Sequence, residues 1–97
     1  MNNVLVDRER LKIDMQPVKL RIESLPYVIF IGRTFVPVIN VYDIKKKREN
    51  YLIISPVSIA SELYSWLSDD PKSIINIEFW INKISDDKFS KYEVTLA

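Results

Sequence analysis

Cysteine and histidine are both missing from this 97-residue sequence. Without cysteine there is no disulfide framework, no thiolate metal site and no thiol nucleophile, which suits a reducing, intracellular environment. Without histidine the chain lacks the commonest general base and the commonest zinc ligand. It has a single glycine, Gly32, so a glycine-rich phosphate loop is excluded. Charge of one sign is also missing: 14 Lys and Arg stand against 13 Asp and Glu, a net +1. No global basic field therefore drives non-specific nucleic-acid binding, and any such binding must come from a local patch. No apolar run approaches the roughly 20 residues that span a bilayer. The first ten residues, MNNVLVDRER, carry no apolar signal core, so no membrane association is expected.

What is present is enough for one core. With 47% hydrophobic and 28% charged residues, 1–97 reads as a single small domain. Residues 1–10 read as an arm or a frayed first strand. The wealth of Ile, Lys and Tyr fits an archaeal thermophile or its virus.

From Leu11 the apolar positions alternate: Leu11, Ile13 and Met15, then Val18, Leu20 and Ile22 beyond Pro17. That pattern predicts one long strand with a proline-marked bend, or two short ones. Tyr27 to Ile31 is a β-branched and aromatic run of strand length. Gly32 then supplies the positive φ of a two-residue type II′ turn, which sets Phe30 against Phe35. A strand from Phe35 to Tyr42 follows, with Pro37 near its start marking an edge or bulge. Past a charged loop it returns as Tyr51 to Ile54, and pairing Asp43 with Asn50 would oppose Tyr42 to Tyr51.

Ser55-Pro56 changes the period. Serine at the N-cap and proline at the first helical position predict a helix whose buried stripe is Ile59, Leu63, Trp66 and Leu67, with Tyr64 at its margin. Asp69, Asp70 and Pro71 end it. The last stretch alternates again from Ile75, and a four-residue hairpin closed by Ile84 and Phe89 would pair Phe79 with Val94 and Trp80 with Glu93. Trp80 is then left on a polar, basic sheet surface.

Strands, one helix, then two strands make a mainly β domain. The order resembles that of OB-fold single-stranded nucleic-acid-binding proteins and small OB subunits, over roughly Val18 to Leu96. The resemblance implies a small five- to six-stranded antiparallel barrel; the alternative is an α+β sheet with one packed helix. It also implies a surface across the second and third strands and their flanking loops: Tyr42 and Tyr51, the loop Lys45, Lys46, Lys47 and Arg48, and the final loop with Lys83, Lys88, Phe89 and Lys91. Trp80 is the stacking candidate on the closing hairpin. Aromatic rings stack on any base, and flexible cations follow phosphates.

Each of these residues also has a structural reading. The basic run suits a solvated hairpin tip that discourages edge pairing, Tyr42 and Tyr51 suit a cross-strand pair, and Phe89 suits a clasp against Ile84. The same exposed rings equally suit a protein partner, a second copy included, or a viral inhibitor docking on a host protein. Catalysis is not expected. Asp69-Asp70 and Asp86-Asp87 sit where turns favour Asp, and Ser55 has no base to activate it. No cofactor or metal is expected either.

Overall fold

Alternation of apolar and polar side chains sorts the strands into two faces, and the helix covers one of them. The computed structural model describes residues 8–67 and 69–97. Its elements run β1 (Glu9–Arg10), β2 (Val18–Ile22), β3 (Tyr27–Ile31), β4 (Thr34–Asp43), β5 (Arg48–Ile53), α1 (Val57–Trp66), a 3-10 turn (Pro71–Ile74), β6 (Glu78–Lys83) and β7 (Tyr92–Leu96). The strands form one mixed sheet in the order β1-β5-β4-β2-β6-β7, with β3 also paired to β4. β1 runs parallel to β5, and the other pairings are antiparallel.

The sheet is not closed. Among the described residues β1 and β7 are its two ends, so the expected five- to six-stranded antiparallel barrel is corrected to a seven-stranded open sheet with one packed helix. α1 lies against β7, and Ser58 Oγ accepts a hydrogen bond from Tyr92 N at 3.1 Å. A helix side chain thus meets the outer edge of β7, where a closing strand would pair.

The core face carries Leu20, Ile22, Ile39, Val41, Leu52, Phe79 and Ile81, all buried. Ile59 and Leu63 of α1 and Ile74 of the 3-10 turn pack against them. Each large apolar side chain buried in this way contributes roughly 1.5–3 kcal/mol. Trp66 reaches Phe79 with ring centroids 5.4 Å apart. Leu67 and Tyr64 do not join the stripe: Leu67 takes the C-cap in extended conformation, and Tyr64 faces solvent. Pro56, not Ser55, occupies the N-cap, and no side chain caps the helix. The proline supplies only its carbonyl, which accepts from Ile59 N and Ala60 N.

β4 is long enough to carry two partners end to end along one edge. Residues 34–38 pair with β3, residues 41–43 pair with β2, and β5 lines the opposite edge. The β3–β4 hairpin therefore projects past the end of β5. Its turn is the expected one: Ile31 opposes Thr34, Gly32 has φ +61°, and Phe30 sits across from Phe35. Pro37 O accepts from Ile54 N at 3.0 Å, so its ring nitrogen faces the same side, beyond the last residue of β5. The one bond forgone is the reciprocal one to Ile54 O, at the last pair of the ladder, where proline costs least.

Two hairpins differ from the expected register, each by two residues. In β4–β5, Asp43 Oδ1 accepts from Lys46 N and Lys47 takes a left-handed φ of +55°. These close a four-residue loop, so Asp43 opposes Arg48, Tyr42 opposes Glu49, and Tyr51 opposes Asn40. In β6–β7 the serine and aspartate side chains build a wider loop: Ser90 Oγ accepts from Ser85 N and Asp87 Oδ1 from Phe89 N. Phe79 then opposes Leu96, and Trp80 opposes Thr95. Ile84 and Phe89 are exposed and form no clasp.

Residues 11–17 are not a strand, although they alternate. They cross from the β5 edge, where Leu11 N donates to Tyr51 O (2.9 Å), to β6, where Lys83 N donates to Asp14 O (2.7 Å). Leu11 and Ile13 lean on the core, and Met15 is exposed. Ile75 to Ile77 is likewise a turn, with Asn76 at φ +77°, and β6 begins at Glu78. The expected N-terminal arm falls mostly on residues 1–7, outside the described residues.

Candidate nucleic-acid interface

The face away from α1 carries the aromatic residues singled out in the sequence. Register places Tyr42, Tyr51 and Trp80 on this one side. Trp80 is 42% exposed, and the two tyrosines are half-buried. Between Tyr42 and Trp80 runs β2, whose Arg21 and Lys19 point the same way: the Arg21 guanidinium carbon lies 4.8 Å from the centroid of the Tyr42 ring, and Lys19 Nζ lies 5.9 Å from that of Trp80. Such cation–π contacts tie each ring to the neighbouring strand β2.

These cations are already engaged with acids. Lys19 pairs with Glu78 at 3.5 Å and Arg21 with Glu23 at 3.7 Å. Arg8 donates through Nη1 to Glu23 Oε1 (2.8 Å) and through Nη2 to Glu49 Oε2 (3.0 Å). The open face is therefore a charge-balanced lattice rather than a basic track. Partly exposed pairs of this kind contribute about 0–1 kcal/mol each. At the upper end of the face the Tyr27 hydroxyl donates to Asn40 Oδ1. Burial pushes the Tyr27 phenol above its ordinary pKa of 10.0, against the opposing pull of Arg8.

Six of the other cations singled out in the sequence lie at one end. Ile44 N bonds Lys19 O (3.2 Å) and Val18 pairs with Ile81, so the β4–β5 tip and the β6–β7 loop flank the start of β2. Lys45, Lys46, Lys47 and Arg48 are exposed on the first, and Lys88 and Lys91 on the second. Lys83 and Phe89 point elsewhere. Lys83 lines a cavity on the helix side with Pro56 and Ile59, and Phe89 stands beside Pro56, Val57 and Ser58.

One apolar feature escaped the sequence reading. Phe30 and Phe35, with centroids 4.9 Å apart, are 60% and 73% exposed, and Val28 beside them is open as well. The signal was there: Tyr27 to Ile31 is apolar on both faces, and a hairpin that outruns its neighbours can bury only one.

Among the described residues no group of three or more acidic side chains is placed to hold a metal ion, and no helix is long and apolar enough to cross a membrane. Compared with known protein families, curated proteins and solved structures, the chain matches none.

Proposed function

We propose that this is a non-catalytic, OB-like domain that binds single-stranded nucleic acid with low sequence preference inside the cell. The observation that carries the reading is the alignment of an exposed Trp80 and the half-buried Tyr42 and Tyr51 on the sheet face away from α1, with exposed cations at one end of it. The strand order supports it. β5-β4-β2-β6-β7, with α1 between β5 and β6, is the order of an OB barrel's third, second, first, fourth and fifth strands, opened where the third would meet the fifth. Base stacking on each ring is worth roughly 1–3 kcal/mol, and the lysine-rich loops follow the phosphates. Because Glu23, Glu49 and Glu78 already hold the central cations, binding is weak and its salt dependence comes from the loops.

Titrating oligo-dT at two salt concentrations while following tryptophan fluorescence tests this. Quenching that weakens with salt and disappears in Trp80→Phe supports it, since Trp66 sits apart on the core face. A flat signal at micromolar DNA counts against it. The second reading, an accessory subunit that docks on a protein partner or on another copy of itself, is favoured by the projecting Phe30–Phe35 pair. Loss of a partner in Phe30→Ser with oligo-dT binding intact would assign the hairpin to that role.

A further inference from the structure

On the helix side, at the mouth left by the open sheet, lies a cavity of about 350 Å³. Its floor is apolar, built from Leu52 of β5 and Ile59 of α1, both buried. Its rim is basic: Arg10, Lys12 and Lys83 all line it, Tyr92 stands beside them, and no carboxylate lines it among the described residues. The arrangement follows from the crossing segment 11–14. That segment is pinned at Leu11 to β5 and at Asp14 to β6, and its alternation turns Leu11 and Ile13 toward the core while Arg10 and Lys12 stay at the surface.

These three cations differ from those of the open face. Arg8, Lys19 and Arg21 each have an acidic partner, whereas Arg10, Lys12 and Lys83 have none among the described residues. Asp14 and Asp86 line a neighbouring depression that shares Ile13 and Lys83, and the Asp14 carboxylate is engaged in its own turn, accepting from Gln16 N at 2.8 Å. Three positive charges lining one cavity above an apolar floor repel one another until an anion joins them. The volume falls at the small end of the roughly 300–1,000 Å³ typical of small-molecule sites.

We infer that this cavity binds a small amphipathic organic anion, its acid group held by Lys12, Lys83 and Arg10 and its apolar body set on Leu52 and Ile59. The site is separate from the aromatic face and does not depend on nucleic-acid binding.

The probe is 8-anilinonaphthalene-1-sulfonate, followed by fluorescence on the folded full chain. One saturable site is expected, with affinity falling about tenfold in each of Lys12→Gln and Lys83→Gln. Lys45→Gln, on the β4–β5 hairpin tip and not in the cavity lining, leaves binding unchanged. The uncharged N-phenyl-1-naphthylamine binds wild type and the two cavity variants equally. Far-UV circular dichroism and a cooperative melt confirm that each variant is folded, since loosened cores also take up such dyes. The proposal is overturned if wild type fails to bind, if the cavity variants bind as wild type does, or if Lys45→Gln weakens binding as much as they do. Displacement of the dye by oligo-dT also overturns it, by giving the site to a nucleic-acid strand.

Discussion

Phe79 and Trp80 are consecutive residues of β6, and they belong to different chemistries. Phe79 is fully buried, with Trp66 against its ring, and is held by packing alone. Trp80 points the other way, 42% exposed, and its neighbours are charged: Lys19 over the ring and Glu78 paired to that lysine. One face of the sheet is closed by apolar contact with α1. The other carries ion pairs around Trp80 and Tyr42, Lys19 with Glu78 and Glu23 with both Arg21 and Arg8, and buries Val38 and Ile29 toward its β3 end. Trp80 keeps part of its ring exposed between its cross-strand neighbours Lys19 and Thr95, with Lys19 held in place by Glu78.

Substitutions on the two faces should therefore separate stability from binding. Phe79→Ala has the largest expected effect, a loss of about 3–5 kcal/mol in denaturant unfolding, because it empties a packed site next to Trp66. If it cost no more than Trp80→Ala, the two faces would not differ as described. Trp80→Ala should cost oligo-dT affinity by about 1–3 kcal/mol in a fluorescence-anisotropy titration while changing stability by less than about 1 kcal/mol. Arg21→Gln removes the cation over Tyr42 and one partner of Glu23, and should lower stability by about 0.5–1 kcal/mol in the same unfolding assay.

The smallest effect concerns Tyr27. Burial holds its phenol neutral in the folded state above the ordinary 10.0, so its contribution is fully present below pH 10 and is lost as pH rises through the raised value. Absorbance at 295 nm should show one phenol titrating late, and Tyr27→Phe should remove it. The stability gap between wild type and Tyr27→Phe should narrow above pH 10. A phenol that titrates with the others would show that this end of the open face is as wet as the rest.

The sequence made the faces legible even where it misjudged the partners. Tyr42 was expected opposite Tyr51 and stands opposite Glu49, and Phe79 was expected opposite Val94 and stands opposite Leu96. Both slips are of two residues, and a two-residue slip returns every side chain to its own side. The loops set those registers through bonds that alternation does not reveal, from Lys46 N to Asp43 and from Ser85 N to Ser90. The candidate site fared similarly. Trp80, Tyr42 and Tyr51 fell on one face, while Lys83 and Phe89 turned to the helix side, where Lys83 joins a cavity that no local pattern announces.

Local order along the chain determined strand, turn and helix, and with them which side chains share a face, because period and turn chemistry act between near neighbours. Tertiary structure decided the rest: that β3 lies end to end with β2, that residues 11–14 alternate like a strand yet cross the core as a strap, and that α1 rather than another strand meets the edge of β7. Those are choices between partners far apart in sequence. They are settled by which surfaces the whole chain must cover, and that competition leaves no mark on any single segment.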